Sequence, residues 1–99
     1  MPMDIRDLKN GMKKVDASGV VKELGEPKTV NLRAGGTAQV ADAKIQDATG
    51  SITLSLWNDD IKRVKKDSLV AVTNGFVNEF QNVIRLNVGK YGKLTVDGS

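Results

Sequence analysis

Cysteine and histidine are both absent from the 99-residue sequence. Without cysteine there are no disulfide bonds and no thiolate nucleophiles, and without either residue the usual zinc-binding sets are excluded. Histidine is also the most common general acid or base in enzymes. Most catalytic templates are therefore unavailable, and we expect a protein that is not an enzyme and that uses no metal ion or other cofactor.

Long apolar runs are also missing. No stretch approaches the roughly 20 apolar residues that span a bilayer, and residues 1–7 lack the apolar core of a signal peptide. These absences predict a soluble, cytoplasmic protein with no membrane contact.

What remains is an ordinary globular balance, with 39% hydrophobic and 27% charged residues. The length suits one small domain over residues 1–99, with a thin core. Apolar residues spaced three and four apart over residues 5–12 predict a short helical turn that covers this core, whereas residues 97–99 are expected to fray. A net charge of +3 favours a polyanionic partner but does not identify one, so the positions of the charges must show whether such a partner binds.

Alternating apolar and polar residues predict short strands along most of the chain. In the clearest strand, over residues 51–57, the apolar residues Ile52, Leu54 and Leu56 alternate with the others. Further strands are expected over residues 15–24, 39–46, 69–76 and 83–88, with extended pieces over 29–32 and 94–96 and turns at 74–75 and 77–82. A short helix that ends at Lys66 and is capped by Asn58 and Asp59 would separate the third strand from the fourth. Gly19 is typical of a bulge or bend in the first strand.

This order predicts the fold class. Three strands, a short helix and two more strands are the layout of an all-β, five-stranded OB-fold barrel with a short helix between strands 3 and 4. An SH3-like barrel has a similar number of strands, but it would not place a helix of this charge pattern there.

Aromatic residues are few: one tryptophan, one tyrosine and two phenylalanines. Three aliphatic residues already fill the inward positions of residues 51–57, so burying Trp57 would turn all three to solvent. Phe76 and Phe80 flank a polar segment, and we expect at least one of them to lie outside the barrel. Tyr91 lies in a basic turn, where packing over the barrel end and contact with a ligand are both open.

An exposed tryptophan on a barrel strand favours non-specific association between protein molecules unless it binds a ligand. Stacking of nucleic-acid bases fits, because every base has a π-face and aromatic side chains stack on it without regard to sequence. Phosphates would need cations on the same surface. The candidate cations are Lys28, Arg33, Lys44, Arg85, Lys90 and Lys93.

Thr53 and Ser55 share the outward side of their strand with Trp57, so this side is predicted to be polar and accessible. The carboxylates Asp42, Asp47, Asp59 and Asp60 have no spacing that a metal site or an acid–base pair requires, and we assign them to turns and caps. The basic residues of the predicted helix are interpreted as a solvated surface.

Several segments together resemble the archaeal single-stranded-DNA-binding proteins that consist of a single OB domain, which are related to the human sensor-of-single-stranded-DNA B subunits and to the OB domains of replication protein A. The segments that carry the resemblance are residues 7–12, 25–28, 43–50, 53–57, 74–76 and 86–89, together with Phe80.

The resemblance implies base stacking on Trp57, Phe76 and Phe80. It also implies a monomeric, nucleoid-associated protein that protects single strands in DNA replication, recombination and repair, and that passes them to protein partners. Two departures stand out: the relatives tend to have a second tryptophan where this chain has Phe76, and they continue into a flexible Gly-rich or acidic tail. The lack of such a tail indicates a trimmed or minimal form.

Two alternatives remain open. Stacking and a basic groove serve single-stranded RNA equally well, since discrimination depends on the 2′-hydroxyl group. An OB domain can also act as a protein-interaction subunit of a larger complex, for which an aliphatic patch around Trp57 would be the sign.

Overall fold

The computed structural model describes residues 3–89 and 92–97, except for the side chain of Phe80. Seven strands form one sheet in these ranges. They are β1 (Lys13–Leu24), β2 (Lys28–Asn31), β3 (Thr37–Gln46), β4 (Ser51–Trp57), β5 (Leu69–Phe80), β6 (Val83–Asn87) and β7 (Lys93–Asp97). A 3-10 helix, Ile5–Asp7, precedes them, and the helix α1 (Asp59–Arg63) lies between β4 and β5.

Five of the strands form a closed ring. The order is β1-β3-β4-β6-β5, and β1 also pairs with β5. The β4–β6 pair is parallel, and the other pairs in the ring are antiparallel. This ring is the predicted five-stranded arrangement with the helix between its third and fourth strands, while β2 and β7 are additional strands that pair with β3 and β5.

β1 closes the ring because it changes partner along its length. Its first part pairs with β5 up to Val20, and the part from Val20 onward pairs with β3. Gly19 lies at this change, and a Cβ atom there would be 3.0 Å from the backbone oxygen of Gln46. The irregularities of β1 lie between Lys13 and Ala17 and between Val21 and Glu23. Of the bulge or bend predicted at Gly19, the register thus records no bulge; the glycine lies where β1 changes partner and permits a close approach of two backbones.

The core lies inside the ring and is covered by the N-terminal segment. Leu54 and Leu86 are fully buried at its centre, and Ile5 and Leu8 of the N-terminal segment pack against the same cluster. The helical turn is shorter than predicted, since only Ile5–Asp7 are helical. Gly11 follows in the left-handed region, with φ = 93°, where the chain turns toward β1.

Asp47 fixes this N-terminal segment to the turn between β3 and β4. Its carboxylate accepts hydrogen bonds from the backbone N–H of Ile5 (3.0 Å) and Gly50 (3.0 Å) and from the hydroxyl group of Thr49 (2.6 Å). These hydrogen bonds lower the pKa of Asp47 to about 2, and the bond from the Thr49 hydroxyl group has the largest effect. The assignment of Asp47 to a turn agrees with this geometry.

β5 continues through Asn74 and Gly75, but its register with β1 shifts there and Asn74 has a positive φ of 56°, so the predicted interruption is an irregularity within the strand and not its end. A Cβ atom on Gly75 would lie 2.6 Å from the oxygen of Asn87 and 2.7 Å from Cγ1 of Val72, so the glycine permits close packing of β5 on β6. The turn after β5 consists only of Gln81 and Asn82. Both have positive φ, 53° and 65°, as a tight two-residue hairpin requires.

α1 ends at Arg63, three residues earlier than predicted, because Val64 is extended and buried. Asn58 does not cap the helix with its side chain. Its Oδ1 atom instead accepts a hydrogen bond from the backbone N–H of Gln39 at 3.0 Å, which attaches the start of α1 to β3. None of the described helices has the length and apolar character needed to cross a membrane.

Candidate functional site

Strand pairing defines a continuous outer face over β3, β4, β6 and β5. Paired residues of neighbouring strands share a face of the sheet, so the register gives rows of side chains across it. The first row contains Lys28, Val40 and Trp57, the second Asp42, Ser55, Asn87 and Phe76, and the third Lys44, Thr53, Arg85 and Asn78. We call the surface formed by these three rows the outer face.

Among the side chains that the structure describes, two aromatic rings are exposed on the outer face. Trp57 is 38% exposed, as the alternation along its strand predicts, and Val40 is its partner on β3. Phe76 is 37% exposed, between Asn87 on β6 and Lys13 on β1.

The Phe76 ring rests against the backbone of Gly89. A Cβ atom on this glycine would be 3.3 Å from Cδ1 and 3.4 Å from Cε1 of the ring. A larger residue at position 89 would therefore press on the ring, so the glycine leaves room for Phe76 to lie close to the sheet.

The two rings are too far apart to hold one base between them. Two strand spacings and two residues separate Trp57 from Phe76, which corresponds to roughly 12 Å between their Cα atoms. Stacked aromatic rings have centroids roughly 4.5–7 Å apart. The two rings therefore form separate exposed surfaces on the outer face.

Arg85 points outward, as predicted, but it is not a free cation. Its Nη1 atom forms an ion pair with Oδ1 of Asp42. The assignment of Asp42 to a turn was wrong, because this residue lies in the middle of β3. The pairing register puts Ser55 of β4 opposite Asp42 on one side and Asn87 on the other, so the ion pair must cross β4 diagonally.

Ser55 is buried, with 5% exposure, and the prediction that it is accessible was wrong. β4 has paired neighbours on both sides at this position, and the Asp42–Arg85 ion pair passes over it. Thr53, one row away between Lys44 and Arg85, is half-buried. Of the two hydroxyl residues proposed for the face, only Thr53 is open to solvent.

A groove runs beside the ion pair, with a volume of about 430 Å³. The exposed aliphatic residues Leu24 and Val83 contribute to its walls. Its charged lining residues are Glu23, Asp42, Lys44 and Arg85. Two acidic and two basic groups make the groove nearly neutral as it stands.

The other candidate cations occupy different parts of the structure. Lys28 and Lys44 are exposed on the outer face. Arg33 lies at the tip of the β2–β3 hairpin, five residues beyond Lys28 and therefore roughly 15 Å away along the hairpin. Lys93 begins β7 beside Thr73 of β5.

Lys90 and Tyr91 lie outside the described residues. The backbone of Phe80 pairs with Val83 at the end of β5, but its side chain is outside the described part.

Sequence reasoning missed three residues of this region. Lys13 lies opposite Phe76 but precedes the predicted start of its strand. Asn87, 8% exposed, donates a hydrogen bond from Nδ2 to Oδ1 of Asn78 at 3.1 Å. The third missed residue is Asn78. A strand predicted as far as Phe80 would have placed Asn78 on the same side as Phe76, because alternate residues of a strand share a face.

No group of three acidic residues in ranges 3–89 and 92–97 is arranged to hold a metal ion. The chemistry that the outer face offers is that of exposed π-surfaces beside lysines, which can bind a polyanion that carries planar rings.

Comparison with known proteins identifies a family and several relatives. A family model described as single-stranded DNA binding protein Ssb-like, OB fold, matches residues 7–96. The chain is 26% identical to the single-stranded DNA binding protein Ssb of Saccharolobus solfataricus, over 95% of this chain and 63% of that protein. It is 25% identical to replication factor A of Methanothermobacter thermautotrophicus, over 87% of this chain and 11% of that protein. The chain thus spans less than two thirds of either relative.

Solved structures confirm the fold. An OB domain from Thermoplasma acidophilum has a TM-score of 0.82 at 21% identity and covers 98% of this chain and 87% of its own. The second OB-fold domain of replication protein A from Methanococcus maripaludis has a TM-score of 0.79 at 23% identity, with coverages of 97% and 94%. The two sequence relatives are named for DNA binding or replication and not for a reaction, in agreement with the expectation that this chain is not an enzyme.

Proposed function

The chain belongs to the Ssb-like family of OB-fold single-stranded DNA binding proteins, and we propose that it binds single-stranded DNA by stacking separate bases on Trp57 and Phe76. Lys13, which is opposite Phe76, and Lys28 and Lys44, which lie on the same outer face, would contact the phosphates. We include Phe80 as a third stacking residue on the resemblance alone.

The observation that carries this proposal is the exposure of two large rings on one face of paired strands. An aromatic ring in a small domain normally belongs to the core, and solvated apolar surface favours association. Here the core is complete without Trp57 and Phe76. Stacking on a base contributes on the order of 1–3 kcal/mol for each ring, and it tolerates any sequence because all bases have a π-face.

The names of two relatives support a proposal for the biological role. One is named a single-stranded DNA binding protein and another a replication factor. We propose that this chain covers single strands exposed in replication, recombination and repair, as a monomer, and transfers them to protein partners.

The test is a titration of the fluorescence of Trp57, the only tryptophan, with oligo-dT, with the corresponding RNA and with a DNA duplex. We expect dT to quench the fluorescence at much lower concentration than the duplex. The logarithm of the binding constant should fall against the logarithm of salt concentration with a slope of about −0.7 for each neutralised phosphate.

The outcomes separate the alternatives. Stronger quenching by RNA would identify an RNA-binding domain. No quenching by any of the three, with the protein folded, would reject base stacking at Trp57 and turn attention to a protein partner.

A further inference from the structure

The ion pair between Asp42 and Arg85 occupies the centre of the outer face. By the register, Asp42 and Ser55 are opposite each other in the second row, whereas Arg85 is opposite Thr53 in the third. The guanidinium group therefore reaches across β4 to meet the carboxylate. An arginine that only required solvation could extend into the adjacent groove, which is open to solvent.

The ion pair does not satisfy the whole guanidinium group. Nη1 faces the carboxylate, but Nε is buried and has no hydrogen-bond partner among the described residues. A buried donor without an acceptor is unfavourable. Movement of the guanidinium group out of the ion pair would expose this donor to an acceptor with several oxygen atoms. A phosphate is such an acceptor, since the planar guanidinium group can bind it through two parallel hydrogen bonds.

The electrostatics of the groove give the ion pair a consequence for binding. Glu23 and Asp42 offset the charges of Lys44 and Arg85 around the same cavity. A phosphate that entered the groove with the ion pair intact would meet the Asp42 carboxylate. Release of Arg85 from Asp42 would instead provide an unpaired cation in the row of Thr53, beside the groove.

We propose, on the basis of the single-strand binding proposed above, that Asp42 takes the place of a DNA phosphate in the free protein: it holds Arg85 until a backbone phosphate enters the groove and displaces it. Asp42 is then an internal competitor that weakens binding and keeps the guanidinium group in position on the face. Arg85 is the phosphate contact for which it competes.

A double-mutant cycle tests this competition, with Asp42→Asn, Arg85→Gln and the double variant compared with the original protein. Binding of labelled oligo-dT is followed by fluorescence anisotropy over a series of salt concentrations. Asp42→Asn should tighten binding about fivefold at low salt, the factor for one pair of unit charges about 4 Å apart in water. In the presence of Arg85→Gln the same substitution should change affinity by less than about twofold, because the competition is lost.

The salt dependence separates displacement from a persistent ion pair. If the phosphate displaces Asp42, Arg85 contacts DNA with or without the carboxylate. Asp42→Asn should then leave the salt slope unchanged, while Arg85→Gln should make it shallower by about 0.7. A slope that steepens by about 0.7 in Asp42→Asn alone would mean that the ion pair persists in the complex, and the proposal would be wrong.

Glu23→Gln is the matched control, because it removes one negative charge from the same groove without breaking the ion pair. Its effect should be the same with Arg85 or Gln at position 85. If Asp42→Asn behaves in the same way as this control, Asp42 is only a general negative charge and the competition is rejected. If the original protein does not bind dT at all, the proposed function itself fails.

A measurement on the unmodified protein covers the case in which a variant does not fold. The Nε–H group of Arg85 should give a distinct NMR signal, and we expect it to move downfield when dT supplies an acceptor. An unchanged Arg85 signal, while signals of Trp57 and Thr53 shift, would overturn the proposal.

Discussion

The inner and outer sides of β4 differ in how uniformly they are buried. Inward residues such as Leu54 and Leu56 are all buried, whereas among the outward residues Ser55 is 5% exposed and Trp57 is 38% exposed. The pairing with β6 extends only from Thr53 to Ser55. The outward side therefore becomes accessible where β4 continues beyond its neighbour. Stability and binding are thus assigned to different residues of one strand, and the following experiments test that division.

The largest effect is expected on the inner side. Leu54→Ala should lower the free energy of unfolding by about 2–5 kcal/mol, because the buried side chain leaves a cavity. Leu69→Ala is the control, since Leu69 is 45% exposed and the same truncation should cost less than about 1 kcal/mol. Urea denaturation measures both. Equal losses would show that the interior of the ring is not the stabilising core.

Gly75 tests the close contact between β5 and β6. Gly75→Ala should destabilise the protein by about 1–3 kcal/mol, because the new methyl group would meet the backbone oxygen of Asn87. Gly50→Ala is the comparison, since a Cβ atom there would have no neighbour closer than 3.8 Å. Thermal unfolding of the two variants should therefore differ clearly, and similar curves would contradict the packing described for β5.

On the outer side, Trp57→Ala should cost about 1–3 kcal/mol of dT binding and leave the unfolding curve almost unchanged. Trp57→Phe retains a ring and should preserve most of the affinity. Anisotropy of a labelled dT oligonucleotide measures binding without the tryptophan. If Trp57→Ala unfolds the domain, the separation of binding from stability at β4 fails.

The Asp47 network gives a smaller effect that depends on pH. Because its folded pKa is about 2, below the usual value of 3.8, the contribution of the carboxylate is fully present above about pH 4 and is lost as the pH falls toward 2. The difference in unfolding temperature between the original protein and Asp47→Ala should accordingly shrink over this range. Asp59→Asn, at an exposed position, controls for the loss of a carboxylate, and a difference independent of pH would contradict the assignment.

The smallest effect is expected at the tip of the β2–β3 hairpin. Arg33→Gln should change the affinity for a short dT oligonucleotide by less than about twofold and leave the salt slope unchanged, since its position is remote from the rings. Lys28→Gln, in the row of Trp57, should make the slope shallower by about 0.7. A larger effect at Arg33 would extend the binding surface along the hairpin.

The sequence predicts those parts of the fold that depend on local alternation. The strict pattern around Ile52, Leu54 and Leu56 correctly indicates β4 and the outward direction of Trp57. Asn74 and Gly75 correctly indicate an irregularity in β5, but the strand continues beyond them, because the same residues that favour turns also permit bulges and close packing within a sheet.

The candidate site is less predictable, because it depends on pairing between distant strands. Asp42 and Arg85 are neighbours only through β4, and no pattern within either strand indicates that they meet. The burial of Ser55 has the same origin. Alternation gives the side to which a residue points, but only the register gives what lies over it.

The change of partner along β1 affects the order of events during folding. Lys13 pairs with Phe76, more than sixty residues later in the chain, and much of β1 has its partners on β5. Such distant pairing is slow, on the order of milliseconds to seconds for barrels of this size. During synthesis on the ribosome, the first strand to emerge must wait for β5 before the ring can close. Until then its apolar residues are available to chaperones and to other nascent chains.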